Sequence, residues 1–224
     1  MRRLLIFLKY PTPGQVKTRL AAQLGDEAAA GIYRASVELT LHRLGALEAD
    51  AVVCVDPPEA LARTHEWLGS GWTLRPQQGA TLGERLSDAT RAVFADGATR
   101  LVIVGTDSPW LRVQDVELAF GHLDRTDVVL GPSQDGGYYL IGLSQCTIGL
   151  FEDIAWSSPL VFDQTRARVA ELGLHAQVFP QGYDLDRVED VQRFVAEESA
   201  RGCASSMVDT IAALMNHRRS PCPS

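Results

Sequence analysis

Residues 3–19 read RLLIFLKYPTPGQVKTR. The apolar run Arg3-Leu4-Leu5-Ile6-Phe7-Leu8 has the length and composition of a buried strand. A loop braced by Pro11 and Pro13 follows, Gly14 permits close backbone approach, and the loop leads into a helix-like stretch. A strand that runs through a stiffened polar loop into a helix is the repeating unit of an α/β fold.

The same stretch is basic. The first 25 residues hold Arg2, Arg3, Lys9, Lys17 and Arg19 with no Asp or Glu, although the chain as a whole stands at −7. A local positive site on an acidic protein suggests a small anionic ligand. At a strand-to-helix junction, unpaired backbone N–H groups and the positive end of the helix dipole favour a phosphate. Lys17 adds a mobile donor and Arg19 a forked one. The other reading of these residues is a solvated basic turn. The G-x-x-x-x-G-K-[ST] spacing of a P-loop is absent.

With 224 residues, 46% hydrophobic and 22% charged, the chain has the composition of an ordinary soluble globular protein large enough to bury a core. A pI near 5.2 argues against a general nucleic-acid or anionic-membrane binder, so phosphate contacts should be local. Cys54, Cys146, Cys203 and Cys222 are far apart, with no C-x-x-C pair, and are expected to be reduced thiols. The six-residue apolar run is too short for a signal peptide or membrane span, which leads to the expectation of a cytoplasmic, unprocessed protein.

Further strand-like runs are Ala51 to Val55, Leu101 to Val104, Val128 to Leu130, Tyr138 to Leu143 and Gln177 to Phe179. Between them lie helical stripes: Tyr33, Val37, Leu41 and Leu44; Leu82, Leu86, Ala89 and Val93; and Val113, Val116, Phe120 and Leu123. This alternation predicts a three-layer α/β/α fold with a mixed, mainly parallel sheet. The link from Gly131 to Gly137 is too short for a helical crossover, so its two strands are either antiparallel neighbours or members of different layers. Met207, Ile211 and Leu214 mark a closing helix, giving a single domain over residues 1–217 and a flexible tail over 218–224.

In open α/β sheets, ligands gather beyond the carboxyl ends of the strands. That rule selects the loop from Lys9 to Arg19 and the loop Gly105-Thr106-Asp107-Ser108-Pro109. An Asp at the end of an apolar strand can bind a divalent cation that bridges phosphate oxygens, or can serve as a helix cap or turn residue. Asp184 and Asp186 are one residue apart, so on an extended segment both carboxylates point the same way and could share a metal. Asp186 could equally cap the helix carrying Val188, Val191 and Val195. In Asp135-Gly136-Gly137-Tyr138-Tyr139, the glycines can admit a substrate and a tyrosine can stack on a sugar or base, or the segment is a tight turn entering a strand. Arg85, in Gly83-Glu84-Arg85 after the loop holding Gln78, could reach a phosphate or lie on a solvated helix face. The chain has no G-x-S-x-G, H-E-x-x-H or G-x-G-x-x-G after a strand, which argues against serine hydrolases, zinc peptidases and dehydrogenases.

Taken together, residues 9–20, 82–86, 105–109, 131–142, 156–157 and 183–186 resemble the bacterial nucleotide-diphospho-sugar transferase family. That family has a glycosyltransferase-A type fold and is related to the 2-phospholactate and molybdenum-cofactor guanylyltransferases. The resemblance implies Asp107 as the metal-binding aspartate with Asp184 or Asp186 as a second carboxylate, Mg²⁺ or Mn²⁺ as cofactor, and Lys17 and Arg19 as catalytic partners of Asp107. It also implies substrate contacts from Lys9, Pro13, Gly14, Thr18, Gln78, Gly83, Arg85, Ser108, Asp135, Gly136, Gly137, Tyr138, Trp156 and Ser157. The first loop departs from the glycine-rich loop of the pyrophosphorylase branch. The expected activity is glycosyl transfer from a nucleotide sugar to a small acceptor, with nucleotidyl transfer from an NTP and a non-catalytic nucleotide-binding module as the alternatives. No nucleic acid and no membrane span are implied, and a homodimer is left open.

Overall fold

The structure is a computed structural model that describes residues 1–202 and 205–216. Cys203, Cys222 and the segment expected to be a tail lie outside these residues. Two compact units share the chain: residues 1–8, 47–105 and 113–183 form the first, and residues 9–46, 106–112 and the described residues from 184 to 216 form the second.

The first unit is a seven-stranded sheet. Its strands are β1 (Arg2–Lys9, ending where the second unit begins), β2 (Asp50–Asp56), β3 (Thr73–Pro76), β4 (Arg100–Gly105), β5 (Val128–Pro132), β6 (Tyr138–Leu143) and β7 (Ala176–Val178). The order is β3-β2-β1-β4-β6-β5-β7. β1 is parallel to β4, β2 to β3 and β5 to β7, while β6 is antiparallel to β4 and β5. The sheet is therefore mixed, as expected, and the short Gly131 to Gly137 link makes β5 and β6 antiparallel neighbours.

Helices cover both faces of this sheet: α3 (Leu61–Leu68), α4 (Leu82–Ala95), α5 (Val113–His122) and α6 (Val161–Glu171). Period-2 alternation sends Leu5, Cys54, Ile103, Leu130 and Ile141 to one side, where they pack with Leu86, Ala89 and Val93 of α4 and Val169 of α6. On the other side, Leu123 just after α5 stands over Gly142, where a Cβ would meet its Cδ1 at 3.2 Å, and the Arg2 guanidinium lies 5.1 Å over the Phe120 ring. These layers give the expected three-layer α/β/α architecture. Leu82, first of its predicted stripe, is 43% exposed because it stands at the first turn of α4, ahead of the core.

The sequence reading misses β3. An edge strand pairs on one side only, so Thr73-Leu74-Arg75-Pro76 needs no apolar run, and Pro76 is tolerated at its end. β7, at the opposite edge, begins one residue before the predicted run.

The second unit contains α1 (Thr18–Leu24), α2 (Asp26–Leu44), α7 (Val188–Ala200) and α8 (Ser206–Asn216). α2 is buried over most of its circumference, with Ala29, Ile32, Val37, Leu39 and Leu41 all inaccessible, rather than along the single predicted stripe. α1 and α8 both pack on it, which explains the wider apolar surface.

The β5–β6 connection shows how tightly the first unit is assembled. Gly136 has φ +91°, and a Cβ placed there would lie 2.2 Å from the Pro159 carbonyl oxygen; the Gly136 carbonyl accepts a hydrogen bond from Phe162 N at 2.8 Å. Both the strain and the clash involve main chain, which cannot rotate aside. Gly136→Ala is expected to lower the unfolding free energy by about 2–4 kcal/mol, read from urea denaturation.

Candidate active site

The loop after β1 is organised by its own hydrogen bonds. Thr12-Pro13-Gly14-Gln15 has the pattern of a type II turn, with Pro13 and Gly14 (φ +76°) at its centre and Gln15 N donating to the Thr12 carbonyl at 3.0 Å. Lys9 Nζ donates to the Gln15 carbonyl at 2.9 Å, so this expected phosphate ligand braces the turn. Val16 is buried, and Lys17 stands before α1 in the left-handed region at φ 48°. Thr18 opens α1 and is exposed.

Lys17 is the centre of the site. Its Nζ lies 2.6 Å from Asp107 Oδ1 and 3.0 Å from Asp186 Oδ1, and its side chain is only 5% exposed. Arg19, largely open to solvent, places Nη1 3.2 Å from Asp186 Oδ2. Ser108 Oγ donates to Asp184 Oδ1 at 2.5 Å. Burial by itself would depress the Lys17 pKa, but Asp107, Asp186 and Asp184 outweigh it and hold the ammonium well above its ordinary 10.5.

Three supports place these groups. The Tyr33 hydroxyl accepts from Lys9 N at 3.0 Å and shares a 2.9 Å hydrogen bond with the Thr106 hydroxyl, while the Lys17 ammonium stands 5.9 Å from the Tyr33 ring centroid. Leu185 N donates to the Asp107 carbonyl at 2.9 Å, joining the two acidic segments through main chain. Asp190 accepts from Arg187 N and Asp186 N, so it takes the capping role considered for Asp186 and leaves the Asp186 carboxylate to Lys17 and Arg19.

A second charge cluster fixes the segment that carries Asp107. Glu198 of α7 is fully buried and pairs with Arg43, Arg112 and Arg201. Arg43 also donates to the Pro109 carbonyl. The 106–112 segment is thus held at both Pro109 and Arg112 by groups that converge on one carboxylate.

For a divalent cation, Asp107 and Asp186 form a suitable pair: both are partly exposed and both turn an oxygen toward one cationic position. Mg²⁺ commonly takes one or two carboxylates and completes its octahedron with water and phosphate oxygens. Among the described residues no group of three or more His, Cys, Asp or Glu could hold a metal, and Asp184, the other expected carboxylate, accepts from Ser108 Oγ.

The remaining expected residues lie in the sheet unit. Gln78, Gly83 and Trp156 line an open groove of about 690 Å³ together with Phe151 and Asp153. A Cβ on Gly83 would meet Trp156 Nε1 at 2.3 Å, so this glycine admits the indole against α4. Tyr138 packs edge-on to Trp156 at 6.4 Å, and burial raises its phenol pKa. Arg85 pairs with Asp56 at 2.7 Å and with the Gly79 carbonyl. Asp135 accepts from Gly137 N at 2.9 Å, and Ser157 is exposed in the left-handed region at φ 63°.

A family profile described as "Uncharacterized protein conserved in bacteria (DUF2064)" matches residues 40–158, more than half the chain. The solved structure of a "putative nucleotide-diphospho-sugar transferase" from Desulfovibrio desulfuricans G20 is 34% identical, with 96% of each chain covered and a TM-score of 0.87. The chain belongs to this family. No curated protein matches it. At the level of fold alone, this DUF2064 member is similar to a CMP:2-keto-3-deoxy-manno-octonic acid synthetase solved with CTP, at 11% identity, 89% and 99% coverage and a TM-score of 0.58. It is likewise similar to a cytidylyltransferase from Leptospira borgpetersenii serovar Hardjo-bovis, at 14% identity, 96% and 92% coverage and a TM-score of 0.56. No helix among the described residues is long and apolar enough to cross a membrane.

The structure of this DUF2064 protein places Lys17, Arg19, Asp107, Ser108, Asp184 and Asp186 in one cluster, together with Tyr33, and adds the Glu198 cluster, neither of which the sequence reading singles out. Tyr33 was hidden in a helix stripe as one more core residue. Glu198 had a visible signal: it follows Val191 and Phe194 at spacings of 3 and 4, which places an acid on the buried face of α7. Glu198→Ala removes the buried carboxylate on which three guanidinium groups converge and is expected to cost about 3–5 kcal/mol in urea unfolding. The Lys17 contribution is complete below pH 10.5 and is lost as pH rises through the higher folded-state value. The melting temperature of wild type should therefore fall above about pH 10 more steeply than that of Lys17→Met.

Proposed function

We propose that this protein is a metal-assisted transferase that uses a nucleotide-activated donor, transferring a glycosyl group from a nucleotide-diphospho-sugar to a small acceptor. The observation that carries the proposal is the meeting of Lys17, Arg19, Asp107 and Asp186 within one hydrogen-bonded cluster. Its support from relatives is the name borne by the 34% identical Desulfovibrio protein.

Glycosyl transfer from such a donor breaks the bond between the sugar carbon and a phosphate oxygen, and negative charge builds on the departing diphosphate. Arg19 offers an exposed guanidinium to that charge, and Lys17 a permanently protonated ammonium whose position is set by Tyr33 and two carboxylates. Mg²⁺ or Mn²⁺ held by Asp107 and Asp186 would supply Lewis-acid stabilisation of the same phosphate oxygens. Within the sheet unit, the Trp156 indole in the groove lined by Gln78 and Gly83 would suit an apolar sugar face.

Nucleotidyl transfer from an NTP is a second reading, favoured by the fold likeness to cytidylyltransferases, one of them solved with CTP. Both readings require a phosphate-rich leaving group to be neutralised. They part on the product. Purified protein incubated with Mg²⁺, a panel of nucleotide sugars and NTPs, and a panel of small hydroxyl and phosphate acceptors should release nucleoside diphosphate under the first reading and pyrophosphate under the second. Release of neither would leave a nucleotide-binding module. Asp107→Asn should reduce whichever turnover is found by about 10²- to 10³-fold.

A further inference from the structure

We propose that Lys17 is a resident cation occupying the seat between Asp107 and Asp186, so that a free divalent metal must compete with its ammonium to bind there. This inference rests on the metal-assisted reading above and specifies how the site is regulated.

The geometry is that of a coordinated ion. Nζ sits 2.6 Å and 3.0 Å from one oxygen of each carboxylate, and the two aspartates reach it from segments 79 residues apart in sequence, joined by the Leu185 N to Asp107 carbonyl bond. The ammonium does not arrive on a loose tether. Its side chain is 95% buried, the Tyr33 ring lies beside it, and the backbone at φ 48° and ψ 47° fixes the direction in which it leaves the chain. Arg19, by contrast, touches only the outer oxygen of Asp186 from solvent. Removing Arg19 leaves the seat filled, whereas removing Lys17 empties it.

One buried ammonium against two carboxylates leaves a single negative charge, and the Arg19 guanidinium on Asp186 offsets it, so the four groups together present little charge to a second cation. A dication arriving alone must displace Nζ or tolerate like charge at contact distance, where Coulomb repulsion inside a protein is strong. A dication arriving with phosphate oxygens brings compensating negative charge, and the ammonium can then pair with phosphate instead. Lys17 thereby biases the seat against bare metal and toward a metal already bound to a phosphorylated ligand. The aspartates fit a cation; the lysine decides when one enters.

The test uses Mn²⁺ alone with the full chain, following free Mn²⁺ by electron paramagnetic resonance. Wild type should bind weakly, and Lys17→Met and Lys17→Gln should each bind one Mn²⁺ at least about tenfold more tightly. Asp186→Asn introduced into Lys17→Met should remove the gain, which ties it to this seat. Arg19→Gln, which leaves the ammonium in place, should gain less than either Lys17 variant. Circular dichroism establishes that the variants are folded, and the more polar Lys17→Gln serves if Lys17→Met is not. Equal or weaker Mn²⁺ binding by the folded Lys17 variants overturns the proposal. So does a gain that survives Asp186→Asn. Because no nucleotide is present, the outcome is separable from the transferase reading: the gain without any turnover on the nucleotide panel would retain the seat and discard the enzyme, and turnover without the gain would do the reverse.

Discussion

A buried ammonium has to be compensated, because taking a charge out of water costs several kcal/mol unless opposite charge meets it. Lys17 is such a group, and its need for partners draws in residues that are far apart in the chain. Asp107 and Asp186 satisfy it directly, Asp184 adds to the local negative potential, and Arg19 balances the outer side of Asp186. The second unit is organised around this requirement. The left-handed backbone at Lys17, the turn at Pro13 and Gly14, and the Lys9 brace on Gln15 all set where the ammonium lies. Tyr33, a core residue of α2 by its ring, is a site residue by its hydroxyl, which links Lys9 N to Thr106.

The Glu198 cluster applies the same rule in a setting away from Lys17. A fully buried carboxylate is met by three guanidiniums, and one of them, Arg43, also satisfies the Pro109 carbonyl. The segment between Thr106 and Arg112 has no regular structure of its own to give it rigidity. Its shape instead follows from Tyr33 at one end, Arg43 and Glu198 at the other, and Leu185 N on the Asp107 carbonyl in between. Two charge clusters and one tyrosine thus do for a loop what a hydrogen-bond ladder does for a strand.

The sheet unit carries little of this polar chemistry. The fold of the chain as a whole is found in structures that share only 11 to 14% of residues with it. The Desulfovibrio relative, at 34% identity over nearly the full length, is close enough to share the family. Glycosyl and nucleotidyl transfer make similar demands on such a scaffold, since both must stabilise a departing phosphate group and both draw on cations placed beyond the carboxyl ends of strands.

Much of the architecture was legible because burial leaves a period in the sequence. The central strands β1, β4, β5 and β6 are nearly continuous apolar runs, α4 and α5 carry stripes at helical spacing, and the short Gly131 to Gly137 link restricted how β5 and β6 could pair. Edge strand β3 left no such trace, because half its surface faces away from the core. The nearly all-round burial of α2 was also hidden, since it depends on α1 and α8 packing against it. In the site, strand-end position singled out Lys17 and Asp107, and the one-residue spacing singled out Asp184 and Asp186. The sequence alone therefore determined the fold class and which charged residues were available for chemistry, through periodicity and charge placement that act over a few residues. Only tertiary structure decided that Asp186 rather than Asp184 meets Lys17, that Asp190 takes the cap, and that Tyr33 and Glu198 belong to the support. Those outcomes depend on which distant groups meet a buried polar or charged one, and local spacing carries no information about partners 73 to 169 residues away.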